Sequence, residues 1–87
     1  MLSPMGRKPK NETPVHNRLE AVRDARGLTR AELADAADVH YQTIGYIERG
    51  EYSPSLSLAL TLAHVLDTDI HQIFSLEPFT TPKETTS

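Results

Sequence analysis

The chain has 87 residues and a formal net charge of −3 at pH 7, which is enough for one small domain. It contains no cysteine, and this excludes a disulfide framework and a thiolate zinc site. It also has no long apolar run. The sequence therefore predicts neither a membrane-spanning helix nor a secretory signal, and a cytoplasmic location is expected.

Motifs for catalysis and metal binding are missing from the sequence. There is no glycine-rich phosphate loop and no nucleophile motif, so we do not expect an enzyme. The four histidines are scattered and have no matching carboxylate pattern. We therefore expect neither a metal site nor a cofactor.

Charge is distributed unevenly along the chain. Residues 1–12 carry a net charge of +2, residues 13–76 carry −4, and residues 77–87 carry −1. The first segment is predicted to be a flexible basic arm and the last a disordered tail, because both are rich in proline and polar residues. The domain is thus expected to span residues 13–76, and its negative charge predicts modest non-specific affinity for nucleic acid.

The first predicted helix covers residues 13–26. Thr13 followed by Pro14 fits an N-cap and a first-turn proline, whose missing N–H costs nothing at that position. Gly27 fits the left-handed position that ends a helix. The apolar stripe of this helix is spaced at i, i+4 and i+7, at Val15, Leu19 and Val22.

The next two predicted helices, residues 30–37 and 41–49, are separated by a short turn. Thr29 and Glu32 form a capping box at the start of the first of them. Hydrophobic staples flank both helix starts and are formed by Leu28 with Leu33 and by Val39 with Ile44. A short helix, a brief turn and a second helix are the arrangement that places a recognition helix in the major groove of DNA.

Two further helices are predicted in the last third of the domain. Ser55 fits the N-cap of a helix over residues 56–66. The first half of this segment alternates like a strand, but the apolar pattern continues without a turn signal, which favours a largely buried helix. Asp69 and Gln72 form a variant capping box before a short helix over residues 70–74. The sequence thus predicts an all-α domain of five helices.

Residues 17–74 resemble the helix-turn-helix domain of the Cro and lambda-repressor family, also called the XRE family. The ordered motifs that carry the resemblance are Arg-Gly-Leu-Thr, Glu-Leu-Ala, Thr-Ile, Ile-Glu-Arg-Gly, Tyr-Ser-Pro-Ser-Leu and Ile-His-Gln-Ile-Phe. The resemblance implies a five-helix lambda-repressor-like fold that binds specific double-stranded DNA as a transcriptional regulator, expected to be a repressor. It also implies a homodimer on a palindromic operator, with half-sites about 34–36 Å apart.

By this resemblance the third helix contacts DNA bases. Gln42 is the strongest candidate, because a side-chain amide pairs bidentately with adenine and discriminates by about 1–3 kcal/mol. Tyr41 has a ring for stacking on a thymine methyl group and a hydroxyl that donates to a phosphate. The predicted base contacts are Tyr41, Gln42, Gly45 and Tyr46. The alternative is that Gln42 and Tyr41 are ordinary solvated helix residues.

Arg30 stands where the family usually has a phosphate-contacting glutamine, and arginine offers a full charge and a bidentate fork. The helix dipole disfavours an arginine in the first turn, so a phosphate contact explains this residue better than a solvated position. The predicted phosphate contacts are Arg30, His40, Thr43, Arg49 and Ser53. The arm residues Arg7, Lys8 and Lys10 are expected to add backbone or minor-groove contacts, or else only to keep the chain soluble.

The resemblance implies two structural features as well. Arg23 of the first helix is expected to pair with Glu48 at the end of the third helix, behind the DNA-binding face. A dimer interface is expected from the apolar residues of the C-terminal segment, unless these only close the core. Those residues are Ile70, Ile73, Phe74 and Leu76, with Phe79 as a further contributor.

Three positions depart from the family pattern. Asp38 replaces the usual turn glycine, His40 replaces a Ser or Thr N-cap, and Gly45 places a glycine inside a helix at a cost of about 1 kcal/mol relative to alanine. This glycine either lets the helix sit deeper in the groove or has no function. Two alternatives stay open: an antitoxin or restriction-controller regulator with a protein partner, or a protein-interaction module that no longer binds DNA.

Overall fold

The computed structural model describes residues 14–79, most of which are helical. The elements in chain order are β1 (His16–Asn17), α1 (Leu19–Ala25), α2 (Arg30–Ala37), α3 (Tyr41–Glu48), α4 (Leu56–Leu66), a 3₁₀ turn (Ile70–Gln72) and β2 (Phe74–Ser75). The predicted basic arm and most of the predicted tail lie outside the described residues. No helix within residues 14–79 is long and apolar enough to span a bilayer.

The first predicted helix is wrong at its N-terminal end. Residues 16 and 17 form β1, which pairs antiparallel with β2. Helix α1 begins only at Leu19, where the Asn17 side chain accepts a hydrogen bond from the Leu19 amide at 2.9 Å. Val15 therefore precedes the helix and is exposed. Thr13, the predicted N-cap, lies outside the described residues.

The middle three helices have their predicted bounds to within one residue. The Glu32 amide donates to the Thr29 hydroxyl at 3.0 Å and the Thr29 amide donates to the Glu32 carboxylate at 2.9 Å, so the capping box is confirmed. Asp38 ends α2 with a φ of 62°, in the left-handed region that aspartate tolerates better than most residues. At the start of α4 the Ser55 hydroxyl accepts a hydrogen bond from the Leu58 amide at 3.1 Å.

The fifth predicted helix is confirmed only in part, because Ile70–Gln72 form one turn of 3₁₀ helix and Phe74–Ser75 form β2. Asp69 caps the turn by accepting a hydrogen bond from the His71 amide at 2.9 Å, and this bond lowers the pKa of the Asp69 carboxyl below its ordinary value. The chain then extends, since β2 pairs with β1 and the Ile73 carbonyl accepts from the Arg18 amide at 2.9 Å. The described fold has four α-helices.

One hydrophobic core joins the four helices and the segment that follows them. Its fully buried large side chains are Leu19, Leu33, Ile44, Ile47, Leu62, Leu66 and Ile73. Ala34 and Ala37 of α2 face the same core, and their small side chains allow neighbouring helices to approach closely. One face of α3 therefore packs against the core, and the opposite face of this helix is exposed to solvent.

Asn17→Ala should lower the free energy of unfolding by about 1–3 kcal/mol. The Asn17 side chain donates to the Ile47 carbonyl at 2.9 Å and accepts from the Leu19 amide at 2.9 Å, so the substitution removes one hydrogen bond at the end of α3 and one at the start of α1. Urea unfolding followed by circular dichroism measures the change. Asn17→Ser is the matched control, because a serine hydroxyl keeps an acceptor for the Leu19 amide, so this variant should lose less. Equal unfolding free energies for wild type and Asn17→Ala would contradict this role.

Candidate nucleic-acid interface

Helix α3 has a buried face and an exposed face. Ile44 and Ile47 lie in the core, whereas Tyr41 and Tyr46 are exposed. Gln42, close to the N-terminus of the helix, is also exposed. Three of the four predicted base-contact residues therefore lie on the open surface of α3.

Gly45, the fourth predicted base contact, is buried beneath two arginine side chains. A Cβ atom at this position would lie 3.2 Å from Arg49 Nη1 and 4.0 Å from Arg30 Cδ. Arg49 also lies over the Tyr46 ring, with its Cζ atom 5.2 Å from the ring centroid, and its Nε donates to Glu51 at 3.2 Å. Gly45 is thus buried, and Arg49 lies next to the position that its side chain would occupy.

A buried carboxylate lies directly behind this surface. The Glu48 side chain is only 1% exposed, and it accepts hydrogen bonds from Arg23 Nε at 2.7 Å and from Arg30 Nε at 2.8 Å. Arg23 is itself buried, and it also donates to the Leu28 carbonyl at 2.8 Å. The structure therefore brings together Arg23 and Glu48, the pair that the resemblance implied, and adds Arg30 as a third member.

The Arg30 side chain is held at Nε by Glu48, and the rest of its guanidinium group is partly exposed. Its hydrogen bond to Glu48 raises the pKa of the Arg30 guanidinium above its ordinary value. The side chain remains 44% exposed, and within residues 14–79 its two terminal Nη groups make no hydrogen bond. A guanidinium held through Nε presents the planar fork that matches two oxygens of a phosphate.

His40 serves as the N-cap of α3. Its Nδ1 atom accepts a hydrogen bond from the Gln42 amide at 3.1 Å, so Nδ1 is unprotonated and Nε2 carries the N–H of the neutral ring. The ring stacks on Tyr41, with the two centroids 5.0 Å apart. The other two predicted phosphate contacts nearby differ in exposure, since Thr43 is half-buried and Ser53 is exposed in the loop after α3.

The predicted dimer residues differ in burial. Ile73 is fully buried in the core, and Ile70 and Phe74 are half-buried against it. Leu76 is exposed. Ile73 therefore closes the core of the single chain and has no surface for a second copy, so its assignment to the dimer interface is corrected.

The remaining predicted residues belong to the basic arm. Arg7, Lys8 and Lys10 lie in the part of the chain that the structure does not describe. Among residues 14–79, no group of three or more His, Asp or Glu side chains is arranged to hold a metal ion.

Sequence reasoning missed two contacts that shape this surface. Arg30 and Glu48 are 18 residues apart in neighbouring helices, and their contact follows only from the packing of α2 on α3. Glu51 pairs with Arg49 in the loop that follows α3, where residue spacing carries no regular signal. In both cases the only signal in the sequence is that the two residues carry opposite charges.

Comparison with known protein families identifies this arrangement of helices. The HTH_3 family, described as helix-turn-helix, matches residues 19–73, which include all four α-helices. The chain belongs to the HTH_3 family. It is a DNA-binding helix-turn-helix transcriptional regulator, and the resemblance to the XRE family is confirmed.

Three HTH_3-like proteins show the extent of the similarity. An HTH-type transcriptional regulator from Archaeoglobus fulgidus is 37% identical over 60 residues, which cover 69% of this chain and 86% of the relative. The immunity repressor protein of Bacillus phage phi105 is 35% identical over 63 residues, which cover 72% of this chain and 44% of the repressor. The restriction-modification controller protein C.AhdI from Aeromonas hydrophila superposes with a TM-score of 0.60 at 33% identity, over 62% of this chain and 82% of that protein.

Glu48→Ala should destabilise this HTH_3 domain by about 3–5 kcal/mol, because buried Arg23 loses its buried partner and keeps only Asp24, a largely exposed carboxylate 3.2 Å from Arg23 Nη1. Chemical denaturation measures the loss. Glu51→Ala is the matched control: Glu51 pairs with Arg49 at the surface, where the two side chains are 56% and 50% exposed, and its loss should stay below about 1 kcal/mol. Similar losses in both variants would contradict a special role for the buried carboxylate.

Gly45→Ala should stabilise the domain by up to about 1 kcal/mol, because glycine is the poorer helix former. The closest neighbour of the added methyl group is the flexible end of Arg49, which has room to shift. Thermal unfolding measures the gain. Gly27→Ala is the opposite control, since Gly27 has a φ of +74° and alanine is strained there. A lower melting temperature for Gly45→Ala would show that the packing around Arg49 outweighs helix propensity.

Proposed function

We propose that this regulator is a repressor that recognises its operator through the exposed face of α3. The observation that carries the proposal is that this face combines an amide, two phenol rings and a guanidinium, at Gln42, Tyr41, Tyr46 and Arg49, on a helix whose other face is fixed in the core. Amides pair with base edges in the major groove, and guanidinium groups bind guanine or phosphate. The immunity repressor among the relatives supports the repressor role.

Gln42 is the proposed base-contacting residue of first importance. It is the second residue of α3, and the N-terminal residues of a recognition helix are those that contact base edges in this class of motif. His40 holds its backbone amide, so the start of the helix is fixed at the point where the amide side chain leaves it. Tyr41 and Tyr46 flank this position with exposed rings that suit thymine methyl groups or backbone phosphates.

Phosphate contacts are proposed around this base-reading centre. Arg30 offers an unoccupied fork, and the neutral His40 ring offers its Nε2–H as a donor. The complete proposed set is Arg30, His40, Thr43, Arg49 and Ser53, with Arg7, Lys8 and Lys10 of the arm as additional cations. Because the domain carries a net negative charge, the local positive charges of Arg30, Arg49 and the arm, rather than the overall field, attract the DNA backbone.

We also propose a homodimer on a palindromic operator. Leu76 is exposed and Ile70 and Phe74 keep part of their surface accessible, so these three residues supply the apolar contact. Two copies related by a two-fold axis place their α3 helices about 34–36 Å apart, one turn of DNA. Analytical ultracentrifugation measures the association, and a monomer at high micromolar concentration would exclude this dimer.

A controller of a neighbouring gene, such as a restriction or toxin gene, is the second candidate function. The similarity to a restriction-modification controller protein at 33% identity favours it. This candidate shares the DNA-binding mechanism and differs in the genes that are controlled and in a possible protein partner. Footprinting on the DNA upstream of the gene and its neighbours distinguishes them, because a controller protects its own promoter region.

Selection of bound duplexes from a random DNA pool at near-physiological salt should enrich a palindrome. Gln42→Ala should bind the enriched sequence with about 1–3 kcal/mol less affinity, because it removes the bidentate amide contact, and should relax preference at one position in each half-site. Gln72→Ala is the matched control, since it removes an exposed amide on the 3₁₀ turn, outside α3, whose oxygen accepts a surface hydrogen bond from Arg18 at 2.7 Å. A folded wild-type protein that enriches no sequence would overturn the proposal and favour a protein-interaction module.

A further inference from the structure

Two arginines from different parts of the chain lie next to Gly45. Arg30 comes from the start of α2 and Arg49 from the end of α3. Arg30 Cδ and Arg49 Nη1 both lie within 4.0 Å of the point that a Cβ on Gly45 would occupy. The two side chains therefore share the floor of one surface groove, which continues to Gln42 and Tyr46.

Each of these arginines is held through Nε alone. Arg30 Nε donates to Glu48 at 2.8 Å and Arg49 Nε donates to Glu51 at 3.2 Å. Within the described part of the chain, the terminal Nη groups of both make no hydrogen bond. Both guanidinium groups thus retain the donors that grip a tetrahedral oxyanion, and two positive groups close together attract an anion more strongly than either alone.

We infer that Arg30, Gly45 and Arg49 form one binding site, named here the Gly45 clamp, that holds a single phosphate of the DNA backbone. The inference rests on the proposed function and deepens it, because it assigns the glycine and joins two contacts that were proposed separately. Gly45 leaves space for Arg49, since a Cβ would lie 3.2 Å from Nη1 and shift that end of the guanidinium slightly. The missing side chain therefore serves an arginine rather than a closer approach of α3 to the bases.

The two halves of the Gly45 clamp differ in rigidity. Arg30 is fixed by Glu48, a buried carboxylate that Arg23 also holds. Arg49 is fixed by Glu51, which is 56% exposed, and by the face of Tyr46. Exposed ion pairs are weak, so the Arg49 side chain can move toward a bound phosphate. The position of that phosphate is then determined by the more rigid Arg30.

The salt dependence of binding tests whether the two arginines share a phosphate. Wild type, Arg30→Gln, Arg49→Gln and the double variant are titrated against one fluorescent duplex of fixed sequence at several KCl concentrations. A shared phosphate predicts that the double variant lowers the slope of log K against log salt by about 0.9 per protomer. Two independent phosphates would lower it by about twice that amount, and this result would overturn the clamp.

Arg26→Gln is the matched control for charge. Arg26 donates to the Asp67 carbonyl and the Thr68 hydroxyl, between the ends of α1 and α4, so the variant removes the same charge outside the groove. The slope of log K against log salt for Arg26→Gln should equal the slope for wild type. Unfolding curves of all variants establish that the same folded fraction is compared.

A second cycle tests the role assigned to the glycine. Gly45→Ala should weaken binding to all duplexes by about threefold, with unchanged base preference, because it weakens one charge-assisted contact. In the Arg49→Gln background the same substitution should cause no further loss. A loss that persists in that background, or no loss in wild type, would overturn the clamp.

Inorganic phosphate separates failure of the clamp from failure of the proposed function. The Nε–Hε signals of Arg30 and Arg49 are followed by NMR while inorganic phosphate is added to the full chain. A wild-type protein that binds no duplex would overturn the proposed function, whereas saturable and joint shifts of both signals would still support the clamp. Two results would overturn the Gly45 clamp. The first is no joint shift of the two signals combined with salt slopes that fit two independent phosphates, and the second is no joint shift combined with no DNA binding.

Discussion

The buried carboxylate of Glu48 is the constraint on which the rest of the domain depends. An isolated charge with 1% exposure would be very costly, and it is compensated by Arg23 from inside the domain and Arg30 from outside. These contacts tie together α1, the start of α2 and the end of α3. The same oxygen atoms therefore serve the stability of the fold and the placement of an arginine on the surface proposed to meet DNA.

The rest of that surface follows from how the small core holds α3. Ile44 and Ile47 bind the helix to the core, and the side chain of Asn17 donates to its last turn. His40 fixes its first turn. Because both ends and one face are held, Gln42 and its neighbours are presented on a rigid element, which is what precise contact with base edges demands.

Features whose signals are local in sequence were predicted well. The capping box at Thr29 and the cap at Ser55 place α2 and α4 correctly, since a cap depends on residues three positions apart. The pairing of β1 with β2 joins distant segments, so the helix-start signal at residues 13 and 14 was misleading. The same limit applies to the site: exposure of Gln42 follows from helix periodicity, but the arginine cover over Gly45 depends on packing.

The shared carboxylate also shapes how this domain evolves. Arg23 and Glu48 are both buried, so a lineage that replaces one of them passes through a poorly stable intermediate unless the other changes with it. Arg30 is partly exposed and can be exchanged for a different donor at little cost to the fold. The exposed residues proposed to contact DNA can therefore change at little cost to the fold, whereas a replacement of Arg23 or Glu48 needs a matching replacement of the other.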